Sequence, residues 1–435
     1  MASLEQMVGT LVRTPRVVAR GRVARVVGLT IESSGPRASV GDLCYVHREG
    51  EGGALPAEVV GLREGKIVLM PLESKEGVRP GDIVTTTGEG LSVPAGEELL
   101  GRVLDALGRP IDGKPLPYIA EKAPLDANPP NPLQRRMIAE PFGTGVAAID
   151  AVTTMGIGQR MGVFAGSGVG KSTLLGMIAR YGQADVNVVG LIGERGREVR
   201  EFLENDLGED GLAKSVVVCA TGDEPAVLRA KAAQTATALA EHFRNQGRSV
   251  LLMMDSLTRY AMALREIGLA AGEPPTTRGY PPSVFAAIPR LLERAGQGPT
   301  GAITGIYTVL VEGDDTNEPV ADTVRAVLDG HIVLSRKLTG RGHYPPIEVT
   351  QSLSRVMPFV TTEEHVRRAN QVRSWVDAYA EVEDLVSIGA YKPGSKPVSD
   401  AAIERWPTIL GLLQQDRADS RIPEESLRQL MEVTD

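Results

Sequence analysis

A run of glycines ending in a lysine and two hydroxyls, Gly166-Ser-Gly-Val-Gly-Lys-Ser-Thr173, is the strongest chemical signal in this chain. Gly166, Gly168 and Gly170 let backbone N–H groups turn inward around a phosphate, and the N-terminus of the helix that follows adds its positive end. Lys171 is placed to reach the β and γ phosphates and Ser172 to ligate Mg²⁺, while Ser167, Val169 and Thr173 complete the expected nucleotide-binding set. The usual pattern begins with glycine where this chain has Ala165, a small residue that serves if its φ stays negative. The loop predicts nucleotide binding and does not by itself predict hydrolysis.

Two carboxylates further along could supply the hydrolytic chemistry. Residues 249–255 read as a buried strand ending in Asp255, the arrangement that sets an Asp beside a phosphate loop to hold Mg²⁺, usually through water. A second strand ends at Gly193-Glu194, and a carboxylate released there can point into the crevice and orient the attacking water. Arg195 is expected to pair with Glu194 or with a phosphate. Arg197, Glu198, Arg200 and Glu201 read instead as a solvated or intersubunit charge network.

The elements that must carry these residues alternate in type. Apolar runs at 160–165, 186–192, 215–220 and 249–255 alternate with helical patterns after Lys171, through Glu204 and over 226–243, which predicts a mostly parallel sheet with covered faces. Before them, short β-rich runs at 22–31, 42–47, 58–62, 66–71 and 82–87 separated by glycine turns predict a small closed barrel. Prolines 115, 117, 124, 129, 130 and 132 make 114–133 an extended connector rather than helix or strand. The expected layout is an N-terminal extension (1–20), a β-barrel (21–93), a phosphate-loop α/β domain (94–360) and a helical domain (361–435) broken at 389–397 and near Pro407 and Pro423. In the extension, Leu4, Met7, Val8, Leu11 and Val12 fall at helical spacing before Pro15, an apolar face that rests on this protein or docks on another subunit or a membrane surface.

Composition excludes several classes. No run of about 18 apolar residues crosses a membrane, and the Met-Ala-Ser-Leu-Glu start lacks the basic and apolar regions of a signal peptide. Cys44 and Cys219 stand far apart with no zinc spacing, so a reducing cytosol is expected. A net charge of −8 argues against a global grip on nucleic acid, and with only 4% aromatics few rings remain for stacking bases.

In order and spacing, the phosphate loop, Glu194-Arg195 and Asp255-Ser-Leu-Thr-Arg259 resemble the catalytic subunits of rotary ATP synthases and, above all, the ATPases of type III protein export. Residues 260–285 and 291–296, Glu312-Gly-Asp-Asp315 and 329–335 look like the flagellar export ATPases in particular. The resemblance covers the chain from about Gly21 and is densest over 140–357. It implies an α/β fold with an N-terminal β-barrel, a RecA-like central domain and C-terminal helices, and a Mg-dependent ATPase with ATP as its nucleotide. By the same resemblance Lys171 and Ser172 hold phosphates and Mg²⁺, Asp255 the metal shell and Glu194 the water. Arg195 and Arg259 stabilise phosphate charge, Tyr344 stacks on adenine, and Arg355, in Ser352-Leu-Ser-Arg355, reaches the γ-phosphate of a neighbouring subunit. Tyr391 is a further candidate for the adenine pocket.

A finger acting in trans is useless to a monomer, so the resemblance also implies a closed ring of six. Its implied partners are a regulator and a central stalk, the export gate at the membrane and chaperone–cargo complexes, with no nucleic acid and only peripheral membrane contact. The implied location is the cytoplasmic face of the inner membrane. An injectisome ATPase and an ATP synthase catalytic subunit are the neighbouring alternatives. Glu194 argues against a non-catalytic rotary subunit, and the aromatic-poor N-terminal domain argues against a hexameric RNA translocator.

Overall fold

The computed structural model describes residues 19–48, 53–311 and 318–435. The N-terminal amphipathic extension and the Glu312–Asp315 motif therefore lie outside the described residues, apart from the last two positions of the extension.

Six strands close the barrel in the order Arg20–Val27, Thr30–Ser33, Lys66–Pro71, Ala54–Arg63, Asp42–His47 and Ile83–Gly90. Alternation drives closure, since Val23, Ile31, Val46, Leu55, Val59, Leu69 and Val84 all point into one apolar interior. The sequence suggested five runs. The first splits in two because Gly28 adopts a left-handed φ of 52° and turns Val27 back onto Thr30.

Beyond the barrel the chain joins the edge of a larger sheet through Arg102–Leu104. Residues 114–133 are mostly extended, with two short departures from expectation. Lys122–Pro124 forms a short strand against Ser92–Pro94, and a 3-10 turn begins at Pro132, since an edge pairing needs few N–H donors from a proline-rich segment. Arg102 holds the start of the connector, donating to Asp112 and to the carbonyls of Lys114 and Pro115.

The central sheet runs Leu353–Ser354, Gly330–Val333, Arg160–Ala165, Ala302–Leu310, Ser249–Asp255, Val186–Glu194, Ser215–Thr221 and Arg102–Leu104. All pairings along it are parallel except the first, and two apolar cores cover its faces. Every parallel strand therefore ends on the same side, and the phosphate loop, Glu194 and Asp255 leave that side together.

Three helices, Glu363–Ser387, Pro397–Leu413 and Pro423–Thr434, pack at the C-terminus. Pro407 was expected to break the second and does not; the helix runs through it. The adjacent Trp406 ring stacks on Tyr379 of the first helix at 3.7 Å, packing that offsets the lost hydrogen bond. Arg373 clamps the bundle to the α/β domain, donating to the Val349 carbonyl at 2.6 Å and the Val152 carbonyl at 2.7 Å, as well as to Ser352 and Thr153. Among the described residues, no helix is long and apolar enough to cross a membrane.

Arg373→Met is expected to cost about 3 kcal/mol, because several buried acceptors lose their donor at once. Arg367→Met, which removes a surface pair with Glu364, should cost less than about 1 kcal/mol. Chemical denaturation midpoints of the two variants check the contrast.

Candidate active site

The strand Arg160–Ala165 turns at Gly166 and enters the helix Lys171–Tyr181. Gly168 and Gly170 take left-handed φ values of 75° and 100°, which fold the loop back over the helix N-terminus. Gly166 does not. Its need is space, since a Cβ there would lie 3.0 Å from the Arg336 guanidinium. Two residues that sequence reasoning did not single out brace the loop: Arg336 donates to the Ser167 carbonyl at 3.4 Å and Thr339 to the Val169 carbonyl at 3.2 Å.

Lys171 carries the charge of the site. Its ammonium donates to Asp255 Oδ1 and lies 3.6 Å from Glu194 Oε1, with all three side chains nearly buried. Burial alone would pull the ammonium down, but Asp255 and Glu194 outweigh it and hold Lys171 above its ordinary value. Glu194 moves the other way from a normal carboxylate. Burial, reinforced by the Asp255 charge, pushes it up to about 7, and Lys171 only partly opposes the rise. A carboxyl balanced near neutrality suits proton transfer at working pH.

Backbone geometry aims that carboxylate. Gly193 has φ 69°, and the pairing with the neighbouring strand slips there, Ile192 opposing Ala220 and Glu194 opposing Thr221. The bulge re-aims Glu194 toward the loop. Asp255 is fixed in turn by Thr308, whose hydroxyl donates to Oδ1 at 2.7 Å from the strand lying between Asp255 and the loop strand.

The arginines sort differently from expectation. Arg195 does not pair with Glu194: its side chain is 78% exposed and lies 3.7 Å from Glu198. The peptide carries it past the bulge onto the solvent side of a short helix, where Arg197 pairs with Glu201, and Arg200 with Glu204 at 2.7 Å, as a solvated charge network. Arg259 packs over Gly193 instead and adds positive potential at Glu194. Arg355 is exposed, and its N–H donates to the Asp329 carbonyl, level with Arg160 rather than with Ala165. Five residue steps of strand, roughly 17 Å, separate that level from the phosphate loop, more than one side chain spans.

Beside the loop lies a cavity of about 290 Å³, walled by Gly170, Thr173, Leu174 and Met177 on one side and by Tyr344, Pro345 and Pro346 on the other. Tyr391 takes no part in it and donates its hydroxyl to Asp400 at 2.9 Å. The helical domain instead contributes Gln415, Asp416 and Arg417, which no local motif marks.

The oxygen donors of Ser172 and Asp255 suit a hard cation. One hydroxyl and one carboxylate suit a Mg²⁺ that takes its other ligands from phosphate oxygens and water. Glu194 Oε1, buried without a hydrogen-bond partner, fits a water drawn in with it.

Three family models match the chain: the ATP synthase alpha/beta family beta-barrel domain over residues 23–88, the nucleotide-binding domain of the same family over 145–354, and the T3SS EscN ATPase C-terminal domain over 361–432. The flagellum-specific ATP synthase of Bacillus subtilis is 54% identical over 415 residues, covering 95% of each chain. This chain belongs to the flagellar and type III secretion ATPases. It is an ATPase of that family, similar also to the flagellum-specific ATP synthase of Salmonella typhimurium, 50% identical over 99% of this chain and 97% of the relative. The type 3 secretion system ATPase of Xanthomonas euvesicatoria is 51% identical over 95% and 94%. Among solved structures, the assembled ATPase EscN from enteropathogenic E. coli matches with a TM-score of 0.89 at 46% identity over 95% of this chain and all of that one. EscN in complex with its central stalk EscO matches with a TM-score of 0.88.

Close packing behind the loop gives a test. A Cβ on Gly176, in the loop helix, would meet the Asp206 carbonyl oxygen at 2.6 Å, so Gly176→Ala should cost about 1–3 kcal/mol and weaken nucleotide binding. Gly411→Ala, at a helical glycine with open space around it, should stabilise by about 0.5–1 kcal/mol. Thermal melts with and without ATP distinguish the two.

Proposed function

We propose that this protein hydrolyses MgATP at the interfaces of a six-membered ring and couples turnover to protein export through the flagellar apparatus. Lys171 neutralises phosphate charge and, as a phosphate takes over the ammonium, releases Asp255 and Glu194 for the metal shell and the water. Asp255 and Ser172 hold Mg²⁺, which supplies charge neutralisation when bound. Glu194 orients the attacking water and accepts its proton, Arg259 steadies charge beside it, and Tyr344 stacks on adenine across the cavity. Arg195, on the exposed face, meets the neighbouring subunit rather than its own phosphates.

The observation that carries the ring is the position of Arg355. It is exposed at the end of the sheet opposite its own phosphate loop, which supports a role at another subunit's nucleotide rather than its own. Fingers of this kind are worth ~10³ to 10⁵ in rate. The assembled EscN structure supports the same reading, and the complex with EscO supports a central stalk as partner. The flagellar assignment draws on residues 261–266 and 274–279 and on the B. subtilis and Salmonella relatives. In that setting the ring works at the cytoplasmic face of the export gate with a regulator protein and touches the membrane only peripherally. There it releases chaperones and unfolds or feeds their cargo, and it has no need of nucleic acid.

Glu194→Gln should lower kcat by a factor of at least about 10² while ATP still binds. Unchanged turnover removes the assigned role. Lys171→Ala and Arg355→Ala subunits, each nearly inactive alone, should regain turnover when mixed, because some interfaces then combine an intact loop with an intact finger. Absence of rescue in rings of verified assembly counts against the shared site. Deletion of the gene should abolish flagellar filaments; secretion of flagellar subunits at the normal level would leave the ATPase reading and sink the flagellar one.

A further inference from the structure

The wall of the cavity that comes from the helical domain is built around one buried amide. Gln415 is 5% exposed, and every polar group of its side chain is used. Oε1 accepts from the Ala147 N–H at 2.9 Å, and Nε2 donates to the Gly145 carbonyl and to the Asp419 carbonyl, each at 2.8 Å. One amide donor faces each carbonyl and the lone acceptor faces the N–H, so the network fixes the orientation of the amide. Its own backbone N–H donates to the Tyr344 carbonyl at 2.9 Å.

Gln415 thus ties three separate pieces of chain: the turn entering the helix Ala147–Val152, the loop after the helix Pro397–Leu413, and Tyr344 itself. Two residues on, the Arg417 carbonyl accepts from Arg180 at 2.7 Å and from the Tyr181 hydroxyl at 3.3 Å, both at the end of the phosphate-loop helix. The segment is bolted to both walls of the cavity and leaves its width no independent adjustment.

We infer that Gln415 is a positioning residue for the nucleotide base, holding Tyr344 at stacking distance from the phosphate-loop helix and linking base occupancy to docking of the helical domain. The inference rests on the reading of this cavity as the base site. Loss of the amide leaves the Ala147 N–H and the Gly145 carbonyl buried without partners and unpins the backbone of residue 415, whose N–H holds the Tyr344 carbonyl, so the effect reaches Tyr344 through that backbone and falls on base recognition and not on phosphate chemistry.

Steady-state ATPase kinetics of the full chain test it. Gln415→Ala should raise KM for ATP about tenfold with kcat within about twofold. Inorganic tripolyphosphate, which has phosphates and no base, should inhibit the wild type and the variant with the same Ki. Tyr344→Ala should raise KM comparably, and the double variant should exceed the larger single effect by no more than about twofold, since both changes act through one ring. An unchanged KM in Gln415→Ala beside a raised KM in Tyr344→Ala overturns the inference, as does a full multiplication of the two effects or a parallel rise in the tripolyphosphate Ki. An unchanged KM in Tyr344→Ala would instead overturn the base-site reading, and this inference with it. Should Gln415→Ala not fold, Gln415→Glu, which keeps the acceptor toward Ala147 and loses both donors, is judged by the same outcomes.

Discussion

One ammonium between two buried carboxylates organises this site. Lys171, Asp255 and Glu194 have little access to solvent, so the ammonium is stabilised mainly by the two carboxylates, which repel each other. Asp255 keeps a hydrogen bond from Thr308 in addition to the ammonium, whereas Glu194 Oε1 has none. Burial, with the Asp255 charge beside it, raises Glu194 toward neutrality.

The parallel sheet makes that convergence possible. Its strands end on one side, and small local devices then aim the side chains: left-handed glycines in the loop, a bulge at Gly193 and a hydroxyl from an intervening strand. The same geometry places Arg355 at the far end of the sheet, out of reach of its own loop. Whatever Arg355 binds therefore lies away from the phosphate loop of its own subunit. The helical domain enters at a third point, through Gln415 to Arg417, and turns an open crevice into a cavity with a defined width.

Much of this was readable in the chain before folding, and the limits are physical. Motifs whose chemistry is local, such as the phosphate loop and the strand-terminal Glu194 and Asp255, announce themselves because backbone conformation and side-chain role are set within a few residues. The barrel was legible from alternation, although five runs became six strands where a single glycine reversed the chain at Gly28. Pro407 misled, because a proline's local cost is overridden where packing against another helix supplies more than the missing hydrogen bond.

Sequence by itself determined the loop, the order of the strands that carry the acids and the existence of a helical C-terminal segment, since these depend on propensity, periodicity and short-range spacing. Tertiary structure alone decided which arginine faces Glu194, Arg259 and not Arg195, and that Gln415 rather than Tyr391 belongs to the cavity wall. A side chain's partner far along the chain is fixed by sheet order and domain docking. Gln415 meets Gly145 and Ala147 only after the whole α/β domain has been threaded between them.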